Sequence, residues 1–384
     1  MKVDQIYEIM NSITKELLGD DVVVAEDLSN IVELGQQFDD VVGLDNYVRK
    51  LPDHVGRVVF VNRVYGGRAP QVLMDAWEYG SIQEKIMSRL PEATVNEDWT
   101  LTDGTSYDPN VFHKPDVIGE FWNKRVTFEI DMSITRKQVK SSFDNVTQLN
   151  AFLSMILTSI ENSLTVKLDA LIMRTINNMI GETIYSEVGT GDISEGSGVK
   201  AVNVLYLYNE KYDASLTPSE AIVNPDFIRF ASFTMANYID RLKVMSNLFN
   251  IGGESRFTPT DDLHMVMLSE FKNSADIFLQ SDTFHEVYTA LPNADPVTYW
   301  QGSGKYYDFE DTSKISITTA SGHEVETSGI LACMFDRNAL GVSNLTREVR
   351  THYNEKADFW NYFYNAFAGY FNDTNENFVV FYVA

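Results

Sequence analysis

Residues 329–342 read Gly-Ile-Leu-Ala-Cys-Met-Phe-Asp-Arg-Asn-Ala-Leu-Gly-Val, and residues 371–384 read Phe-Asn-Asp-Thr-Asn-Glu-Asn-Phe-Val-Val-Phe-Tyr-Val-Ala. Each stretch joins a short apolar run to a polar cluster of the kind that forms turns. The region from Lys314 to Ala384 is therefore predicted to be rich in strands. Asp373, Asn375 and Asn377 imitate the start of a calcium loop. Its sixth and twelfth positions would be Phe378 and Ala384, which cannot serve there, so we predict a turn before the last strand.

A second strand signal lies over residues 124–135. Apolar and polar residues alternate there, which is typical of a half-buried strand. The apolar set is Val126, Phe128, Ile130, Met132 and Ile134. Residues 55–65 also look like a strand, and the polar, turn-rich stretch 91–115 lies between the two. We interpret these segments as an extended hairpin, which is better supported on another subunit than in a compact monomer. In residues 359–371 the aromatic spacing fits a helix or a strand, and aromatic enrichment favours the strand.

The strongest helical signal runs from Val146 to Ile180. Its apolar residues recur at helical spacing, and neither Pro nor Gly interrupts it until Gly181, which is predicted to close it. At 1.5 Å per residue such a helix is about 50 Å long. Shorter amphipathic helices are predicted within residues 1–50, where Val3, Ile6, Met10, Ile13 and Leu17 share one face.

Residues 201–304 are predicted to form a separate α/β module. Helices are expected at Asn203–Tyr212 and Pro225–Met245. A strand is expected at Asp262–Leu268, with a helix after it. The Gly/Ser-rich residues 186–200 are predicted to be a flexible loop.

Composition limits the function classes. The chain has 384 residues, 44% of them hydrophobic, and a formal net charge of −25. Because nucleic-acid affinity depends on Lys and Arg, a chain this acidic is not expected to bind DNA or RNA as its main task. Cys333 is the only cysteine, and its apolar flank predicts a buried, inert thiol. We find neither a signal-peptide core nor an apolar run long enough to span a bilayer, and expect a cytoplasmic protein without membrane contact.

The search for chemical motifs yields no candidate catalytic residue. Gly302-Ser-Gly-Lys305 lacks the other positions of a phosphate-binding loop, since residues 299 and 306 are tyrosines. The six histidines lack metal-ligand spacing. The search does not by itself exclude an enzyme. Our prediction is nevertheless a protein that is not an enzyme and has no bound metal or cofactor.

The quoted C-terminal stretches, with the layout above, resemble the major capsid proteins of tailed bacteriophages, whose fold is named after phage Hong Kong 97. The resemblance covers nearly the whole chain and implies an α+β fold. The segments it implies are an N-terminal arm at 1–58, a strand leading into the peripheral domain at 59–77, an extended loop at 78–136, a peripheral domain at 137–199 with its spine helix at 146–180, an axial domain at 200–328, returning peripheral strands at 329–371, and a C-terminal strand against the axial domain at 372–384.

The resemblance implies a subunit that assembles with copies of itself through hexamers and pentamers into the closed icosahedral head of a tailed phage. Such a head encloses double-stranded DNA without sequence-specific binding and is assembled in the host bacterial cytoplasm. A separate scaffolding protein and a portal are the other expected partners. Subunit contacts are expected at the tip of the extended loop, at Trp99, Asp103, Gly104 and Tyr107.

Three alternatives remain open at this stage. An encapsulin-type compartment shell resembles the same fold but encloses cargo enzymes in place of DNA. A cytosolic enzyme with an unrecognised site would show a pocket with perturbed titratable groups. Another phage structural part, such as a tail protein, would form rings or tubes. The long helix and the single extended hairpin favour the capsid interpretation.

Overall fold

The computed structural model describes most of the chain from residue 112 onward and parts of the region before it. The described residues are 11, 13–15, 73–74, 83–91, 93, 103–104, 110, 112–137, 146–280, 294–301, 308–319 and 322–384. The predictions for 55–65 and 302–305, and nearly all of those for 1–50, lie outside these residues.

The described elements follow one another in a mixed order of strands and helices. The strands are β1 Leu73–Met74, β2 Gln83–Ser88, β3 Val117–Trp122, β4 Arg125–Thr135, β5 Ala201–Asn203, β6 Leu263–Leu268, β7 Asp295–Val297, β8 Ile315–Thr318, β9 Glu324–Thr327, β10 Ile330–Asp336, β11 Leu340–Asn354, β12 Phe359–Asn372 and β13 Phe378–Tyr382. The helices are α1 Val146–Val188, α2 Val204–Tyr212, α3 Pro218–Ala221, α4 Pro225–Leu242, α5 Ser269–Gln280 and α6 Phe309–Thr312.

Helix α1 is longer than the sequence predicts. It has 43 residues, which is about 65 Å at 1.5 Å per residue. The prediction that Gly181 closes it is wrong, because the helix passes through Gly181 and packs closely there against Ile317 of β8. The helix ends instead at Gly189, whose φ is +63° and whose N–H donates to the Tyr185 carbonyl at 2.8 Å. Glycine at a left-handed position just past the last turn is a common helix stop.

A five-stranded sheet forms the centre of the larger core, in the order β5-β13-β10-β6-β7. Strand β10 pairs antiparallel with both β13 and β6. All seven residues of β10 and all five of β13 are buried, as the apolar runs of the quoted stretches predict. Cys333 lies in β10 and is completely buried, which confirms the prediction. Burial raises the pKa of its thiol, which keeps it in the unreactive protonated form.

A four-stranded sheet, in the order β1-β11-β12-β4, forms the second layer next to α1. The aromatic segment is strand β12, as predicted, and its residues alternate between buried and half-buried from Phe359 to Ala368. The alternating strand is also confirmed as β4. Its partner is β12, however, over the register from Thr135–Phe359 to Arg125–Gly369. It therefore belongs to this sheet and is not one arm of the extended hairpin.

The hairpin itself pairs β2 with β3 in a separate two-stranded sheet, with Lys85 opposite Glu120 and Ile86 opposite Gly119. A second small hairpin, β8–β9, packs on α1. Within residues 201–304, α2 begins after the cap Asn203, α4 ends at Leu242 and not Met245, and β6 is followed directly by α5.

Trp300 ties α1 to the five-stranded sheet. Its side chain is fully buried, and its indole N–H donates to the Ile330 carbonyl at 2.9 Å. Its own carbonyl accepts a hydrogen bond from the Asn177 amide at 2.6 Å. Trp300 thus provides hydrogen-bond partners both for the sheet, at the Ile330 carbonyl, and for α1, at the Asn177 amide. Buried polar groups need such partners.

Replacing Trp300 with phenylalanine is expected to lower the free energy of unfolding by about 2–3 kcal/mol. The substitution leaves the buried Ile330 carbonyl without its donor and opens a small cavity. The urea midpoint measures the change. Trp122→Phe is the matched control, because Trp122 is half-buried and phenylalanine retains a ring against Phe371. Equal midpoint shifts for the two variants would contradict this role of Trp300.

Candidate functional site

The β2–β3 hairpin has two faces of different character. Residues Ile86, Val117 and Phe121 point away from the rest of the subunit and are 65%, 51% and 65% exposed. Leu90 and Phe112, close to the strand ends, are also exposed. We call Ile86, Val117 and Phe121 the outer apolar face. Isolated exposed apolar residues are ordinary, but a cluster on a two-stranded hairpin indicates an interaction surface.

The inner face of the hairpin docks on the turn between β12 and β13. The Lys85 ammonium lies 2.5 Å from Asp373 Oδ2 and 2.6 Å from Glu376 Oε1. The Asp373 side chain is completely buried, and the Glu376 side chain is 9% exposed. On the neighbouring strand, Glu120 accepts a hydrogen bond from the Asn375 amide. We call this group the docking cluster: Lys85, Glu120, Asp373, Asn375 and Glu376.

A second set of contacts holds the end of the hairpin where β2 ends and β3 begins. The Arg89 guanidinium lies 2.8 Å from Glu254 Oε1 and 2.9 Å from Asp116 Oδ2. Arg256, from the same loop as Glu254, contacts Met87 and lies 3.4 Å from Glu376. Because Arg89 and Asp116 are largely exposed, their pair contributes little stability. The contacts of Lys85 with the buried carboxylates of Asp373 and Glu376 therefore dominate the docking.

The turn that receives Lys85 is rigidly supported. The Thr374 carbonyl accepts hydrogen bonds from the Ile251 and Gly252 amides at 3.0 and 2.9 Å. Behind it, buried Asn377 donates to Thr258, and Thr258 donates to Asp336 at 2.9 Å. A buried polar network of this kind restricts the geometry of the groups it carries.

The docking cluster carries more negative than positive charge. Burial raises the pKa of the Glu120 carboxyl, and the neighbouring Asp373 raises it further, while Lys85 and Asn375 act in the opposite direction. Burial is also the main cause of the raised pKa of Glu376, which Lys85 and Arg256 offset in part. Desolvated carboxylates close to one another hold protons more strongly than free ones.

The structure places two of the predicted contact residues. Asp103 and Gly104 lie in an exposed turn, with Gly104 at φ +81°. Trp99 and Tyr107 lie outside the described residues. Neither Asp103 nor Gly104 belongs to the docking cluster. Neither the outer apolar face nor the docking cluster was predicted from the sequence, although Ile86 and Phe121 flank the predicted tip and the turn at 373–377 was predicted.

Other kinds of site were sought in the part of the chain that the structure describes. Within it, no cluster of His, Cys, Asp and Glu has the arrangement to hold a metal ion. The described helices include none with the length and apolar character needed to cross a bilayer.

Comparison with known structures identifies the fold. The fold is similar to a chain in the capsid structure of Staphylococcus phage Andhra, with a TM-score of 0.51, 10% identity, and coverage of 84% of this chain and 87% of that one. It is also similar to a chain in a structure of the head fiber and inner core protein gp22 of native bacteriophage P68, with a TM-score of 0.50, 10% identity, and coverage of 83% and 85%. The α+β fold is therefore that of phage capsid proteins.

The family follows from the sequence as a whole. Residues 10–382 match the model of the Phi29-like phage major capsid protein, and the chain belongs to this family. A search of curated proteins finds no match. The family match supports the capsid interpretation over the encapsulin, enzyme and tail-protein alternatives.

Proposed function

We propose that this major capsid protein assembles with copies of itself through hexamers and pentamers into a closed icosahedral head, and that the outer apolar face of its hairpin lies on a neighbouring subunit. The observation that carries the proposal is the exposure of Ile86, Val117 and Phe121 on one face of a two-stranded hairpin. A hairpin this small gains stability when such a face is covered. In a chain that belongs to a capsid family, a second copy is the partner at hand.

The assembled head encloses double-stranded DNA without sequence-specific binding. The net charge of −25 supports this, since an acidic wall repels phosphates and lets packaged DNA slide. A separate scaffolding protein and a portal take part in assembly, which occurs in the host bacterial cytoplasm. The loop tip, with Trp99, Asp103, Gly104 and Tyr107, adds further contacts between subunits.

We propose a domain division that keeps the expected segments with two changes. Strand β4 pairs with β12, so we assign it to the peripheral sheet and not to the extended loop 78–136. Strand β10 pairs with β6 and β13, which belong to the proposed axial region, whereas β11 pairs with β12 and β1. The return to the peripheral domain therefore begins at Leu340 and not at Gly329. Helix α1 is the spine that joins the two regions.

The test is to express the chain alone and with its scaffolding protein, and to combine negative-stain electron microscopy with sedimentation velocity. Closed shells or rings of five and six subunits are expected. A stable monomer or small dimer under both conditions would overturn the proposal. Shells without DNA that hold a co-purifying enzyme would favour a compartment shell.

A further inference from the structure

The loop between α4 and β6 exposes four apolar side chains, Val244, Met245, Leu248 and Phe257. Each of them is between 44% and 64% exposed. We call these four residues the loop patch. Single exposed apolar residues are ordinary, but several on one short loop indicate a contact surface.

The loop that carries this patch is tied to itself by hydrogen bonds. Ser246 and Arg256 exchange two backbone hydrogen bonds, each 2.9 Å long. Within the loop, the Asn250 side chain donates to the Glu254 carbonyl at 2.6 Å and accepts from the Glu254 amide at 2.9 Å. A surface that is already ordered loses little conformational entropy when a partner binds. The loop patch is therefore well suited to binding.

The loop patch lies in a segment without acidic residues. Residues 241–253 contain neither Asp nor Glu, although 55 of the 384 residues of the chain are acidic. Because the net charge is −25, copies of the chain repel one another. A contact between copies is least opposed where apolar side chains are not interspersed with acids. The loop patch is thus a favourable place for a second copy of this chain.

The outer apolar face of the hairpin has the opposite charge beside it. Glu84 is exposed and pairs opposite Phe121 in the β2–β3 register, and directly opposite residues lie on the same face of a sheet. Next to the loop patch, Lys243 lies 2.9 Å from Asp240 in an exposed ion pair. Because exposed ion pairs contribute little stability, Lys243 can exchange Asp240 for a carboxylate of another copy.

The two surfaces cannot meet within one subunit while the hairpin is docked. The same loop holds the inner face of the hairpin, where Glu254 binds Arg89 and Arg256 contacts Met87. The outer apolar face points to the opposite side. A contact between the outer apolar face and the loop patch therefore requires two copies. Such a contact joins two different surfaces, and head-to-tail contacts of this kind close into rings when the rotation between copies allows it.

We propose that the loop patch of each subunit receives the outer apolar face of the hairpin of the next subunit, with Lys243 facing Glu84 across the contact. This inference names the surface on which the hairpin lies in the proposed function, and in this respect it rests on that function. Each subunit then presents its hairpin to one neighbour and its loop patch to the other. Every copy in a ring makes the same contact on two sides.

The first test is chemical crosslinking between engineered cysteines. Cys333 is completely buried and unreactive, so the wild-type background needs no other change. A full chain with both Ile86→Cys and Leu248→Cys is assembled with its scaffolding protein and treated with a short bis-maleimide. Denaturing gels should show dimers, trimers and larger products, because each subunit is linked on two sides. A mixture of the two single variants should give dimers only, and each single variant alone should give none.

The matched control moves the second cysteine to another exposed isoleucine. Ile277 lies on α5, outside the loop patch, and is exposed to a similar degree as Leu248. A chain with Ile86→Cys and Ile277→Cys should assemble and give no crosslinked products. Equal crosslinking in this control would show that the reaction does not report the proposed contact.

The second test reverses the two charges. Lys243→Glu alone and Glu84→Lys alone are each expected to raise the protein concentration needed for assembly about tenfold or more, because like charges facing each other across an interface oppose binding. The chain with both changes should assemble near the wild-type concentration. Lys314 is also an exposed lysine in an exposed ion pair, so Lys314→Glu is the control and should not rescue Glu84→Lys.

The outcomes separate this inference from the proposed function. Normal shells or rings without crosslinking between positions 86 and 248 would overturn the inference and leave the proposed function standing. A wild-type chain that does not assemble would overturn both. If the cysteine chain folds, judged by its urea transition, but does not assemble, the charge reversal decides. Rescue then supports the contact, and its failure overturns it.

Discussion

Replacing Gly329 with alanine is expected to destabilise the fold severely, with a loss of about 4 kcal/mol or more in the free energy of unfolding. Gly329 has a φ of +84°, where a side chain costs about 1–2 kcal/mol. An added Cβ would also overlap the backbone carbonyl of Val383. The Val383 amide donates to the Gly329 carbonyl at 2.9 Å, so the two segments cannot separate without breaking the edge of the β10–β13 pair.

The matched control for this substitution is Gly322→Ala in the β8–β9 turn. Gly322 has almost the same φ, +86°, but nothing lies within 4 Å of an added Cβ. Its loss is expected to be about 1–2 kcal/mol from backbone strain alone. Urea midpoints and the soluble fraction measure both variants. A similar loss for the two would show that the contact with Val383 has no special weight.

Replacing Phe121 with aspartate is expected to abolish shell formation while leaving the subunit folded. In the isolated subunit the Phe121 ring is 65% exposed, so its loss should change the free energy of unfolding by about 0.5 kcal/mol or less. In an assembled shell the same position would be covered, and a buried carboxylate without a partner costs several kcal/mol. Electron microscopy should show no shells, and sedimentation should show folded, unassembled subunits.

Phe121→Leu provides the control at the same position, because leucine keeps the apolar contact with less area. We expect it to assemble, with a modestly raised critical concentration. If the Phe121→Asp variant formed normal shells, the outer apolar face would not be one of the contacts needed for assembly. Failure of both variants to fold, judged by the urea transition, would instead assign Phe121 a structural role within the subunit.

Local patterns were sufficient where the burial of an element follows from its own run of residues. The alternation in β4, the aromatic enrichment of β12 and the apolar runs of β10 and β13 each predicted a strand that the structure contains. The reason is that side-chain period and burial are linked within one element. The resemblance to phage capsid proteins, confirmed by the family match, depended on the order of these elements along the chain.

Contacts between distant segments were not predictable in the same way. Gly181 was predicted to stop α1, but its role depends on the approach of Ile317, which is 136 positions further on (317 − 181). Strand β4 showed its own alternation without showing that β12 is its partner. Strand pairing depends on where the chain returns in space, and period-two patterns fit many partners equally well.

The sequence by itself determined many of the elements, their order and the acidic charge, because these depend on local periodicity and composition. The class of protein came from the resemblance of the sequence to a known family, which the family match confirms. Only the tertiary structure decided which groups meet. Lys85 and Asp373 are 288 positions apart, and each alone is an ordinary charged residue. Folding brings them together where the Asp373 side chain is completely buried and the Lys85 side chain is 22% exposed. This partial burial turns a lysine and a turn aspartate into the contact that positions the hairpin.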